Sequence, residues 1–205
     1  MPGFTLLELL VSMAIFTVLI ALGVPTMQTW IANSKVRAVA DSLQNGLRLA
    51  QAESLRRSRQ VVFALTNSTT PGNGGFTAVA NGSYWAVQTI PAMTDGSESA
   101  TVVTTGVLTW AGSPVTVTGQ AAICFNSMGR LVANANTGVN GAVCTVPTAG
   151  VGSAAVPTLN YVVSLTRANG APLADHSLEV EVALGGRIHL CNATQTGSAS
   201  NPYGC

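Results

Sequence analysis

The chain has 205 residues, 47% of them apolar and 8% charged, with a formal net charge of +1, whereas an ordinary soluble domain carries roughly 25% charged residues. This excludes an acidic or basic tail, a solvating disordered chain and any bulk electrostatic attraction for nucleic acid. Charge is unevenly spread: six of the nine bases and two of the eight acids lie in residues 35–59, while residues 61–205 hold five acids and three arginines, a net of −2. The length accommodates one domain of about 100–150 residues behind a long leading segment and excludes a large multidomain enzyme.

Residues 4–22 read FTLLELLVSMAIFTVLIAL, with Glu8 as the single ionisable group. At about 1.5 Å per residue this run suffices to cross a thin or locally adapted bilayer as a helix. A cleaved secretory signal would place a basic region before the run and a small-residue site after it; here Met-Pro-Gly precedes it and no A-x-A follows. A carboxylate in an apolar helix needs a partner or a proton and is usually functional; snorkelling of Glu8 to the interface is the structural alternative.

Gly23 and Pro25 interrupt the apolar run, and because proline removes an i to i−4 bond a bend is expected there. The helical pattern then resumes through residues 23–59. Val36, Val39, Leu43, Leu47, Ala50 and Leu55 form one apolar stripe, with Arg37–Asp41 and Glu53–Arg57 as i,i+4 pairs worth a few tenths of a kcal/mol each. Ser58 and the β-branched Val61 and Val62 mark the stop. A continuous helix over 4–59 would be about 84 Å long. Arg56, Arg57 and Arg59 either form a solvated cationic terminus that complements the helix dipole or contact phosphates or an acidic partner.

Residues 60–205 read as an antiparallel β domain. The expected strands are 60–65, 83–90, 100–104, 121–125, 160–166, 176–184 and 187–191, separated by turns rich in Gly, Asn, Ser, Thr and Pro such as 66–75 and 133–143. Trp85, Trp110, Tyr84 and Tyr161 are core candidates in or beside these strands. This part of the chain lacks GxGxxG, Walker, HExxH and G-x-S-x-G patterns. In the last hairpin Leu178, Val180, Val182 and Leu184 alternate with Glu179, Glu181 and Ala183, giving one buried and one solvent face. A three-residue loop of Gly185, Gly186 and Arg187 would pair Leu184 with Ile188 and Val182 with Leu190. It would leave Arg187 at an exposed tip, as surface decoration or as a contact residue.

Cys124, Cys144, Cys191 and Cys205 have no CxxC or zinc-type spacing with His176 or His189. Behind a membrane-directed segment they suit two disulfides in an oxidising compartment. Three pairings are available; the pairs nearest in sequence, Cys124–Cys144 and Cys191–Cys205, are the expected ones, and buried free thiols are the alternative.

Gly3-Phe4-Thr5-Leu6-Leu7-Glu8-Leu9-Leu10, LQNGLRLAQAESLRRSRQVVF (43–63), AAICFNSMGRL (121–131) and VEVALGGRIHLCN (180–192) before a terminal NPYGC resemble type IV pilins and type II secretion pseudopilins of the GspH/FimT/FimU family. The resemblance covers most of the chain and leaves 66–120 and 133–175 poorly matched. It implies an α+β, type IV pilin-like fold: a leader (1–3), a transmembrane or filament-core helix segment (4–22), its amphipathic continuation (23–59) and a periplasmic or extracellular antiparallel β domain of GspH type (60–205). It implies cleavage between Gly3 and Phe4 by a prepilin peptidase, methylation of the Phe4 amino group, residence in the inner membrane as a single pass with the C-terminal domain in the periplasm, and later entry into a pilus or pseudopilus. Glu8, fifth in the mature chain, would neutralise the Phe4 amino group of a neighbouring subunit and set its axial register. The leader departs from the family in carrying no lysine or arginine. The resemblance implies a protein that is not an enzyme, with no catalytic residue, cofactor or metal; the implied partners are the peptidase, other minor pilins, the major pilin or pseudopilins, and the inner-membrane assembly platform. Three roles compete: priming of type IV pilus assembly at or near the filament tip, the secretion pseudopilus, and DNA binding for natural transformation. The DNA binders carry a C-terminal GRxR loop; this chain has Gly186-Arg187-Ile188-His189, and neutral histidine cannot replace the second arginine's permanent charge. Priming is therefore favoured, with a pilus-associated adhesin as a further alternative through the loops at 66–75 and 133–158.

Overall fold

The computed structural model describes residues 5–72, 75–91, 98–109, 114–148, 157–166, 176–198 and 200–205, the side chains of residues 25 and 26 excepted. Gly3, Phe4, Trp110 and Arg167 lie outside the described residues. The helix α1 (Leu6–Arg57) runs for 52 residues and about 78 Å, unbroken across Gly23 and Pro25. Thr5 caps it: its hydroxyl accepts the Glu8 backbone N–H at 3.3 Å, the first half of a T-x-x-E capping box. It ends at Ser58 in a left-handed conformation with φ 52°, whose N–H returns to the Leu55 carbonyl.

The two halves of α1 meet different surroundings. Leu6 to Leu22 present exposed leucine, valine, isoleucine and phenylalanine, and exposed apolar residues continue past Leu22 to Met27, Trp30 and Ile31. From Ala32 onward Val36, Val39, Leu43, Leu47 and Ala50 are buried, each large aliphatic residue contributing roughly 1.5–3 kcal/mol. Leu55 departs from the expected stripe and is 51% exposed. At 100° per residue it lies about 80° from Leu47 and 120° from Leu43 around the axis, and Ser54 occupies the buried direction instead.

Among the described residues, eight strands form two four-stranded antiparallel sheets. β1 (Val61–Thr66), β2 (Tyr84–Thr89), β3 (Val102–Val107) and β5 (Ala122–Phe125) are ordered β3-β2-β1-β5; β4 (Val115–Thr118), β6 (Thr158–Leu165), β7 (Leu178–Ala183) and β8 (Ile188–Asn192) are ordered β4-β6-β7-β8. β4 was not expected. Its Val-Thr-Val-Thr alternation is only four residues long and lies between Pro114 and Gly119, so turn signals outweigh strand signals there.

The main core lies between α1 and the inner faces of both sheets: Phe63, Leu65, Trp85, Ile123 and Phe125 from one, Tyr161, Val163, Val180 and Val182 from the other. Gly46 allows the helix to approach closely, since a Cβ there would come within 2.8 Å of the Phe63 ring and 2.9 Å of Trp85. β1 is buried on both faces, as its continuous apolar run suits. Its second face packs Val62 and Ala64 with Phe76, Ala78, Val139, Ala142 and the Cys124–Cys144 bridge. This second core explains how the polar 133–144 excursion folds back over the sheet. Trp85 is 8% exposed, Tyr161 fully buried and Tyr84 half-buried.

The β7–β8 register differs from the expected one by two residues. Val182 pairs with Ile188 and Val180 with Leu190, so the loop is Leu184, Gly185 and Gly186. A three-residue hairpin loop ends on a residue with positive φ. The observed register puts Gly186 there, at φ 90°, where the expected one would have forced Arg187 into that strained conformation.

Candidate functional site

Glu8 is exposed in the first turn of α1, and no salt bridge involves it among the described residues. The capping contact from Thr5 orients this turn, so the carboxylate projects from a formed helix. The whole apolar half around it is open to a bilayer or to neighbouring subunits, and α1 is long and apolar enough for a single membrane-spanning segment.

The basic run at the other end of α1 is compensated internally. Glu53 accepts from Arg56 Nε at 2.7 Å and from Arg57, and Arg59 pairs with Glu98. Glu53 was expected in a surface pair, but its side chain is only 10% exposed. Hydrogen bonding from Arg56, with Arg57 adding to it against the cost of burial, holds its carboxyl down to about 2. The three arginines are thereby committed to acids of the same chain. A groove of about 470 Å³ beside them is lined by Ser58, Arg59, Gln60, Asn126, Asn134 and neighbouring residues, none of them a histidine, cysteine or carboxylate. Among the described residues that line it there is no carboxylate or imidazole to act as a general base.

Sequence reasoning missed Gln51. Its side-chain amide donates at 2.8 Å to the carbonyls of both Gly129 and Gly186, tying α1 at once to the turn after β5 and to the β7–β8 loop. Leu131 N–H adds a bond to the Leu184 carbonyl at 3.1 Å. The approach requires Gly186, because a Cβ there would lie 2.1 Å from the Gly129 oxygen. Two glycines at positive φ, 129 and 186, are the signal in the sequence, yet nothing in it joins them to a helical glutamine.

Arg187 is exposed just beyond this junction, and Arg48 and Arg130 are also exposed without an acidic partner among the described residues. His189 is half-buried opposite Glu181 on the outer face of its sheet. Glu179 departs from the expected solvent face and is 9% exposed, being flanked across the ladder by Val162 and by Cys191 of the C-terminal bridge. Burial, with the nearby Glu181 charge, pushes its carboxyl up, against a lowering hydrogen bond from Asn160. The cysteines pair as Cys124–Cys144 and Cys191–Cys205.

A helix that is apolar and exposed in one half, and sealed against antiparallel sheets in the other, defines a pilin-like α+β subunit. The chain belongs to the family described as type II transport protein GspH, whose sequence profile matches residues 39–164, more than half its length. A prokaryotic N-terminal methylation motif matches residues 2–24. Among solved structures, the chain is similar to the type IV minor pilin FimU of Pseudomonas aeruginosa PAO1 in two crystal forms. One is 12% identical with a TM-score of 0.45, covering 83% of this chain and 96% of that one; the other is 13% identical with a TM-score of 0.42, covering 82% and 99%. No curated protein matches the chain.

Proposed function

We propose that this protein is a minor subunit of a type IV pilus that helps to prime assembly and is incorporated at or near the filament tip. The observation that carries the subunit role is the division of α1, with exposed apolar residues from Leu6 to Ile31 and a buried stripe from Ala32. Such a face needs lipid before assembly and other apolar helices after it. Glu8, near the helix start, is the group available to pair with a neighbour's amino terminus inside a low-dielectric bundle. Cleavage after Gly3 and methylation of Phe4 belong to this reading, as do the prepilin peptidase, the assembly platform and companion minor pilins as partners.

The test is deletion of the gene with complementation, scoring surface pili, secretion and transformation together, and co-purification of the full chain with other minor pilins from detergent extracts. Lost piliation restored by the wild type supports priming. Intact pili with lost protein secretion would replace it by the pseudopilus role, a second reading favoured by the description of the matching family. DNA uptake is the weaker reading because Arg56, Arg57 and Arg59 are engaged with Glu53 and Glu98, and Arg187 has His189 in place of a second arginine. Intact pili with lost transformation would restore it.

A further inference from the structure

We propose that the C-terminal end of the β7–β8 hairpin has a second, reduced state in which Cys191, Cys205, His189 and Glu181 bind a zinc-class divalent cation in place of the disulfide. Ligand atoms of Glu181, His189 and Cys191 all lie within 4.8 Å of one another, and Cys205 is bonded to Cys191. A tetrahedral zinc site with these ligand types has donors roughly 3.3–3.8 Å apart, so small side-chain adjustments complete it. The set of two sulfurs, one imidazole and one carboxylate is borderline-soft and suits zinc or cobalt rather than calcium or magnesium.

The backbone holds the donors together without help from the sulfur–sulfur bond. Glu181 and His189 are direct cross-strand partners, and Cys191 lies two residues further along the same face. The tail carrying Cys205 is docked by Asn192 N–H to the Tyr203 carbonyl at 2.7 Å, Gly197 N–H to the Cys205 carbonyl at 2.8 Å and Cys205 N–H to the Gln195 carbonyl at 3.0 Å. Glu181, His189 and Cys205 are half-buried, which leaves water, metal and reductant a route in. The Cys124–Cys144 pair offers no such route, being buried in the second core.

Conversion between the states is a two-electron exchange with a dithiol. One thiolate of the reductant attacks the Cys205 sulfur, the bond to Cys191 breaks and Cys191 leaves as a thiolate. The second thiolate of the reductant then closes its own disulfide and releases the Cys205 thiolate. The cation takes both thiolates, displacing the protons they would otherwise carry. Disulfide and metal are therefore mutually exclusive, and bound metal protects the newly exported thiols from oxidation until it is removed.

The full chain in detergent is reduced with a dithiol, desalted without oxygen and titrated with Co²⁺. Reduced wild type is expected to take one equivalent with thiolate-to-cobalt charge transfer and the intense visible bands of four-coordinate cobalt, while oxidised protein shows neither. His189→Ala and Glu181→Gln, each with a wild-type near-UV spectrum when oxidised, should weaken binding by more than the roughly ten- to hundredfold that loss of an outer-shell partner costs. Unchanged affinity in both variants would assign the metal to thiols alone and overturn the proposal. So would a six-coordinate spectrum in reduced wild type, or collapse of its near-UV signal on reduction.

Discussion

Replacing Gln51 by alanine removes two 2.8 Å hydrogen bonds, to Gly129 and Gly186, at the junction of α1 with both sheets. Each is worth about 0.5–1.5 kcal/mol net, and each carbonyl left bare costs about 1–3 kcal/mol unless water reaches it. Gly129 and Gly186 are both buried, so the two carbonyls recover little from solvent and the expected loss is about 2–4 kcal/mol. For a chain of this size that is a fall in Tm of about 5–15 °C. Gln51→Glu sharpens the test, since an ionised carboxylate would face two carbonyl oxygens with no proton to donate. It should be worse than alanine at pH 7 and recover on acidification. Near-UV circular dichroism melts of the full chain in detergent measure both. An alanine variant within about 0.5 kcal/mol of wild type, or a glutamate variant as stable as wild type at pH 7, would refute the clamp.

Three further outcomes follow from the same geometry. Glu53→Gln should cost about 1–2 kcal/mol at neutral pH, allowing for solvent screening of its two arginine partners. Because the folded carboxyl is held near 2 against an ordinary 4.5, its contribution is complete above about pH 5 and lost as pH falls toward 2; acid denaturation profiles should show a shallower slope over that window in the variant. Tyr161→Phe should be neutral or stabilising by up to about 1 kcal/mol in urea titrations, since the buried hydroxyl has no hydrogen-bond partner among the described residues and burial drives its proton affinity far above the usual phenol range. Glu8→Ala should leave membrane insertion intact while lowering recovery in purified filaments, and wild-type recovery would remove the pairing role.

The helix and most strands were legible because burial imposes periodicity. Val36, Val39, Leu43, Leu47 and Ala50 repeat at helical spacing against one wall, and the β-branched run of β1 marked a strand, though not that it is covered on both faces. What was hidden depends on tertiary partners. Leu55 looks like a stripe residue until the angular drift along the helix is counted. Glu53 looks like a surface charge, yet it is buried beside two guanidiniums at the helix end. The hairpin register turned on which glycine takes positive φ, and Gly186 decides it through its fit against Gly129. At the candidate site, the residue types around Glu8 and the arginines were readable, but the internal pairing of Arg59 with Glu98, 39 positions away, had no local trace.

The stripe that joins α1 to the sheets runs along the helix axis from Ala32 to Ala50. A pull on the apolar half is therefore resisted in shear. Side chains from Val36 to Leu47 must slide past their sockets together, with the Gln51 bonds straining at the far end, and the contacts cannot be peeled off one at a time. A head fastened in this way tolerates axial tension far better than sideways prying, and its weakest direction is rotation of the helix away from the sheets.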